Sequence, residues 1–459
     1  MEAPQHNNNQ LQQQQSALTK TTPMTRPERS TEPNRYALDP IRDPALQVRA
    51  KAPFNAEPPP ELLLKSFVTP NELFFVRNHL PVPEIQDLDA FTVKFSGLGL
   101  KQEVAFSLDE LKTTFAHKAI IVTIQCAGNR RSEMSQVKNV RGLVWEKTAI
   151  STAKWTGVLL ADVLKHLGIS EENEVCAIHG DNSSESDAAD NNNNCEQCGS
   201  IIRHVHLEAL DGDPVDGKTY GASIPIATAL DPRKDVLLAF EMNGEPLPRD
   251  HGFPLRAIVP GTVGARNVKF LHRIVLSGEE SPNFWQQKDY RGFPPNVDYD
   301  TENYFAFAGE TIQELPVQSA IVQPNDGAAH ILTSKSASTI PVQGYAWSGG
   351  GRNIVRVDVS TDAGKTWKVA KLHSTAKKQR YNRAWAWTPW ELNVPVPQDT
   401  KQLEIICKAV DASYNAQPDT IAPIWNMRGM LNNAWHRVCI RIVDSQEMSG
   451  GAGVEAVVV

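Results

Sequence analysis

Beyond about residue 313 the sequence alternates apolar and polar residues with a period of two, and a chain so patterned folds as sheet. Val355, Val357 and Val359 alternate with Arg356 and Asp358. Thr361-Asp362-Ala363-Gly364 then supplies turn residues ahead of Thr366-Trp367-Lys368-Val369, which predicts a hairpin. Leu403, Ile405 and Cys407 alternate in the same way, as do Val438, Ile440 and Ile442. Several short strands at this spacing predict an all-β sandwich over residues 313–444. Most of the ten tryptophans lie beyond residue 340, which predicts a bulky aromatic core for that sandwich.

Upstream, over residues 61–312, strand-like and helix-like stretches mix, so the chain reads as α+β. Ala119-Ile120-Ile121-Val122-Thr123-Ile124 is short, continuous and β-branched, as in a strand buried on both faces. Residues 157–167 place Leu159, Leu160, Val163, Leu164 and Leu167 at helical spacing. Residues 1–60 begin with an Asn/Gln-rich run and continue rich in Pro, Thr and Arg, which predicts a disordered polar tail. Its arginines would suit an organelle transit peptide, but Glu28, Glu32, Asp39 and Asp43 interleave with them. A polar insertion rich in Asp, Ser and Asn spans about 177–203, and residues 445–459 read as a flexible tail.

Composition excludes more than it selects. With 46 basic and 53 acidic residues the net charge is −7, which argues against nucleic acid or an anionic membrane as partner. No stretch approaches the ~20 apolar residues of a membrane helix. Six cysteines in 459 residues are too few for a disulfide framework and fit an intracellular, reducing compartment.

One of those cysteines stands out. Cys126 sits where the β-branched run gives way to Ala127-Gly128-Asn129, and Arg130 and Arg131 follow within five residues. Neighbouring cations favour the thiolate, a soft ligand suited to a transition metal; a buried small residue is the alternative. Gly261 and Gly264, with Arg266 and Lys269 nearby, would let backbone N–H groups approach an anion. Gly349-Gly350-Gly351 lacks a following Lys-Ser/Thr and reads as a hairpin turn, not a phosphate loop. Cys176, His179, Cys195 and Cys198 have the ligand types and pair spacing of a zinc site, though a polar insertion tolerates chance cysteines. Cys407 and Cys439 lie in strand patterns and read as core residues.

The run Gln125-Cys126-Ala127-Gly128-Asn129-Arg130-Arg131-Ser132-Glu133-Met134 resembles the cysteine block of the sulfite oxidase family of molybdenum-cofactor enzymes. Other blocks of that family occur in order: Phe74 to His79, Ala149 to Trp155, and Tyr220 to Pro225. Glu241 to Gly244, Arg249 to Arg256, Lys288 to Tyr290 and Trp425 to Gly429 complete the set. The resemblance covers about residues 61–444.

That resemblance implies a mixed α/β molybdopterin-binding domain followed by an immunoglobulin-like dimerisation domain, and hence a homodimer. It makes Cys126 the protein ligand of molybdenum. It assigns Phe75, Val76, Arg77, Asn78, His79, Asp211, His251, Arg256, Asn267, Val268 and Lys269 to the cofactor. Arg77, Arg131 and Arg428 would hold a small oxyanion, for which guanidinium forks are suited, with Trp145 as a wall and Tyr290 as polar neighbour. The nitrate reductases of the family typically carry Asn at the position of Tyr290 and Met at that of Arg428. Both positions therefore favour sulfite, oxidised to sulfate by oxo transfer. The alternatives are a nitrate or sulfoxide reductase, or a cofactor-binding relative without turnover. The first 60 residues are too short and polar for a cytochrome b5-like domain, so no haem is expected and dioxygen or a separate cytochrome would take the electrons. The terminal Val-Val-Val is no peroxisomal signal, which leaves a mitochondrial or cytosolic location as the expectation.

Overall fold

Period-two patterning becomes sheet throughout the molecule, in a computed structural model that describes residues 34–170, 201–213, 217–332, 339–373 and 383–444. The first sheet contains β1 (Gln47–Lys51), β2 (Phe54–Glu57) and β3 (Val76–Arg77), paired antiparallel in that order. The segment 34–60, expected as part of a disordered tail, is therefore folded. Its charges have partners distant in sequence, which composition cannot show. Arg42 pairs with Asp250, and Arg49 reaches Glu146 as well as the nearby Glu57. The carboxylate of Glu57, itself fully buried, also accepts from the backbone N–H groups of Glu146 and Thr148.

Two five-stranded sheets follow. Their strands are β4 (Thr92–Gly97), β5 (Val104–Ser107), β6 (His117–Gln125), β7 (Ile150–Leu159) and β8 (His204–Gly212). The set continues with β9 (Thr219–Pro225), β10 (Leu237–Met242), β11 (Glu245–Pro246), β12 (Arg256–Ile258) and β13 (Leu271–Ser277). One sheet runs β5-β4-β13-β8-β9; the other runs β11-β10-β7-β6, with β12 also on β10. The short helices are α1 (Pro60–Leu63), α2 (Leu108–Thr114), α3 (Arg131–Val137), α4 (Leu160–His166) and α5 (Ile226–Leu230). Ser107 and Glu110 cap α2 reciprocally, satisfying two N–H groups that the helix start leaves free.

The β-branched run lies in β6, whose inner half is buried and which pairs antiparallel with β7. The helix expected over 157–167 starts only at Leu160. Gly157, Val158 and Leu159 finish β7 in register with Ala239, Leu238 and Leu237. Leu159 and Leu160 straddle the junction, so apolar spacing alone could not find it.

The C-terminal region is the expected pair of packed sheets, making the class α+β. One is β14 (Gln318–Gln323), β16 (Thr339–Trp347), β20 (Thr388–Pro395) and β19 (Lys371–Leu372). The other runs β15 (Ala329–Leu332), β22 (His436–Asp444), β21 (Gln402–Asp411), β17 (Ile354–Ser360), β18 (Lys368–Val369). The predicted hairpin joins β17 to β18, with Ala363 and Gly364 both at positive φ as its twist requires.

Four expectations change here. The sandwich core is aliphatic around Ile321, Val342, Val357, Ile405 and Ile440, with Trp390 as its tryptophan. Trp347, Trp385 and Trp387 instead pack at the junction with the preceding sheets. Trp385 Nε1 donates to Asp235 at 2.7 Å, and the Trp387 N–H donates to Thr123 Oγ1 at 2.7 Å. The triple glycine is no hairpin, because it carries the chain from β16 to β17, which belong to different sheets. Gly350 N–H donates to the carbonyl of Gly261 (2.8 Å), and a side chain at Gly261 would strike Trp385. Gly261 thus serves that junction and not an anion. Cys439 is exposed, on the outward register of β22, whereas Cys407 is buried.

Candidate active site

Strand β6 delivers Cys126 to the wall of a cavity. Its N–H donates to the Ala149 carbonyl, and the loop then turns through Arg130 in the left-handed region (φ 64°) into α3. Asn129 ties that turn down, donating to Tyr345 Oη at 2.9 Å and accepting from the Ala149 N–H. Nine further lining residues come from the strands and loops around it: Phe75, Arg77, His79, Asp211, His251, Arg256, Asn267, Lys269 and Tyr290. All of these were sequence candidates.

Several other candidates stand behind the wall. Val76 packs with Leu46 and Ala56, and Val268 belongs to the core between the sheets. Asn78 is buried and donates to Asp250 Oδ1 at 3.0 Å while its oxygen accepts from Lys269. Trp145 is fully buried in the cluster that holds Cys126, with its Nε1 unpartnered among the described residues. Arg131 and Arg428 lie outside the cavity wall, yet the charge of Arg131 interacts with Cys126, Arg77 and Tyr290. Arg428 forms an ion pair with Asp289. Arg130 does not serve the thiol: it is fully buried, forks onto Glu133 at 2.7 and 2.6 Å, and reaches the Ser319 carbonyl of β14.

Phe74, Tyr220 and Asp250 also line the cavity and were not picked from sequence. Each adjoins or opens a block quoted above, and Asp250 stands directly before His251. The signal was present in the blocks, but side-chain direction was not.

Burial dominates the electrostatics. His79 is held well below the usual histidine range by burial and by Arg77 and Lys269, so its ring is neutral. Its Nε2 lies 2.9 Å from Tyr290 Oη, and the ring stacks on Tyr220 at 4.7 Å. Burial also takes His251 down to about 4; its Nε2–H donates to the Asn71 carbonyl. Arg256 falls to about 9 and Lys269 to about 8, both through burial. Asp211 rises to about 7 for the same reason. Asp250 is the exception. Burial pushes it up, but the Arg42 fork and Lys269 outweigh that and hold it below the ordinary carboxyl range.

The cavity therefore gathers Arg77, Arg256 and Lys269 against one firmly ionised carboxylate, which Arg42 already engages. Among the described residues, Arg256 Nε and Asp211 Oδ1 are buried with no partner. Such a surplus of desolvated cations and orphaned polar atoms calls for an anionic ligand with polar edges. Among the described residues no three His, Cys, Asp or Glu side chains converge as metal ligands. A metal at Cys126 would thus have a single protein thiolate, and its remaining ligands would have to arrive with a cofactor. The cysteines and histidine suggested for zinc lie outside the described residues.

Residues 79–285 match the oxidoreductase molybdopterin-binding domain, and residues 309–443 match the Mo-co oxidoreductase dimerisation domain. The chain is 52% identical over 407 residues to the mitochondrial sulfite oxidase of Homo sapiens, spanning 89% of this chain and 68% of that one. It is 41% identical over 416 residues to the sulfite oxidase of Arabidopsis thaliana, spanning 89% and 97%. Its fold is similar to that of the sulfane dehydrogenase SoxCD from Paracoccus pantotrophus, with a TM-score of 0.63 at 22% identity over 86% and 85% of the two chains.

Proposed function

This chain belongs to the sulfite oxidase family, and from that premise we propose that it oxidises sulfite to sulfate at a molybdenum–pterin cofactor, as a homodimer through its sandwich. The observation that carries the reading is the cavity itself: one cysteine on a wall otherwise supplied with unbalanced buried cations. The residues fit the group. Cys126 would ligate the metal, Arg77, Arg256 and Lys269 would meet the phosphate and ring edges, and the orphaned Asp211 and Arg256 atoms would take the remaining polar edges. Bound there, the cofactor would supply two-electron oxo transfer.

The chain's own side chains do the rest. Arg77, Arg131 and Arg428 bind and orient the oxyanion, and Asp289 steadies Arg428 through their ion pair. Trp145 backs the cysteine and helps to exclude water. Tyr290 holds a proton at its hydroxyl, because burial raises its pKa and the neutral ring of His79 hydrogen-bonds it. Electrons leave to an external acceptor, dioxygen or a separate cytochrome. A mitochondrial location is supported by its relatives among the mitochondrial sulfite oxidases.

The test is one preparation assayed for bound molybdenum and for sulfite-dependent reduction of ferricyanide, cytochrome c and dioxygen. Stoichiometric metal with sulfite turnover is expected, and Cys126→Ser should abolish that turnover in a folded protein. Metal without sulfite turnover would overturn the reading.

A further inference from the structure

Arg131 lies in a slot made of glycines. A Cβ at Gly128 would stand 2.7 Å from both Cζ and Nη2 of Arg131 and 2.9 Å from Nη1. At Gly142 it would stand 2.7 Å from Nη1, and at Gly429 2.7 Å from Cγ. Real carbon contacts are rarely that short, so no side chain at any of the three is compatible with the arginine where it is. Within the slot the guanidinium is bonded to backbone on one side only. Nε donates to the carbonyls of Arg428 (3.0 Å) and Gly429 (3.1 Å), and Nη1 donates to that of Leu143 (2.9 Å). Nη2, against Gly128, has no hydrogen-bond partner among the described residues.

The three glycines differ in what else requires them. Gly142 (φ +131°) and Gly429 (φ +58°) occupy left-handed backbone that favours glycine in any case. Gly128 does not, and all three of its nearest atoms belong to the Arg131 guanidinium. The guanidinium of Arg131 is thus what a side chain at Gly128 would meet first.

We propose that Gly128 is a positioning residue for the oxyanion, whose missing side chain lets Arg131 lie flat beside the cysteine loop and keep Nη2 for the substrate. This rests on the reading of Arg131 as an anion-holding group. The alternative role for Gly128, simple tight packing of the loop, would not act through the guanidinium.

A double-mutant cycle separates the two. Gly128→Ala, Arg131→Ala and the double variant are prepared as holoenzyme. Each is measured for molybdenum content, for kcat and KM with sulfite, and for sulfate affinity by calorimetry. Gly128→Ala should raise KM and the sulfate Kd about tenfold, the scale of one misdirected charge-assisted hydrogen bond, with metal content unchanged and kcat less affected. In the Arg131→Ala background it should change neither. Equal effects in both backgrounds would overturn the proposal, as would wild-type affinity in Gly128→Ala while Arg131→Ala is impaired. Unchanged affinity in Arg131→Ala would instead remove the reading of Arg131 on which the proposal stands. If Gly128→Ala alone does not fold, the slot predicts that the double variant does, and a double variant equally unable to fold would overturn it.

Discussion

Removing Arg42 should destabilise the protein and loosen its cofactor, although Arg42 belongs to a segment whose composition reads as a tail. Its Nε and Nη2 grip both oxygens of Asp250 at 2.8 and 2.9 Å, and Nη2 also meets Asp39 at 2.8 Å. The side chains of Arg42 and Asp250 are only 14% and 9% exposed, so this is a largely desolvated pair. Arg42→Ala leaves that carboxylate buried without its cation. Breaking such a pair from one side costs about 3–5 kcal/mol, and Asn78, which still donates to Oδ1, places the expectation near ~3 kcal/mol. The pH dependence has a definite sign. Asp250 is held below its ordinary range, so its contribution is full above the unfolded carboxyl pKa of about 4 and is lost as pH falls through the folded value. The gap between wild type and variant should therefore be largest near neutrality and close in acid. The same loss reaches the site, because the Asp250 carbonyl accepts from Lys269 at 2.8 Å. Urea denaturation across pH, with metal analysis of the purified variant, measures both effects. A loss below about 0.5 kcal/mol at neutral pH, with full metal content, would refute the reasoning, since that is the scale of an exposed pair.

Tyr290→Phe removes the hydroxyl that meets His79 and should lower kcat about 10²-fold with metal content intact; an unchanged kcat would remove Tyr290 from proton handling. Arg428→Met deletes one pocket cation and strands Asp289, so kcat/KM for sulfite should fall about 10- to 100-fold, and a value within twofold of wild type would exclude its role. Lys269, held at about 8 by burial, makes the cofactor-free protein pH-sensitive in two opposed ways. Its charged form is penalised in the fold, so stability should rise as pH climbs above about 8 towards the unfolded lysine value near 10.4, while affinity for inorganic phosphate falls. Phosphate isotherms that stay flat between pH 7 and 9.5 would contradict this.

Legibility in the sequence followed locality. The sandwich strands, β6 and the turn at Asp362–Gly364 were readable because alternation and turn chemistry are properties of adjacent residues. Cys126 was readable as a candidate because strand, cysteine and arginines are contiguous, and the block resemblance extended that to His79, His251 and Lys269, all of which line the cavity. Direction was not readable. Val76, Asn78 and Val268 sit among lining residues but point elsewhere, and Arg130 and Arg131, adjacent in sequence, turn to opposite tasks. The positive φ of Arg130 separates the two.

What the sequence determined by itself is the class of fold, the all-β C-terminal region and the cysteine that ends β6, which reaches the cavity wall. Tertiary structure alone decided that residues 34–60 are folded, that Trp347, Trp385 and Trp387 join two regions instead of filling one, and that a slot of glycines holds Arg131. The division has one physical cause. Secondary structure answers to neighbours along the chain, whereas a buried charge can draw its partner from anywhere in the sequence. Arg42 and Asp250 are 208 residues apart, and no local pattern records their meeting.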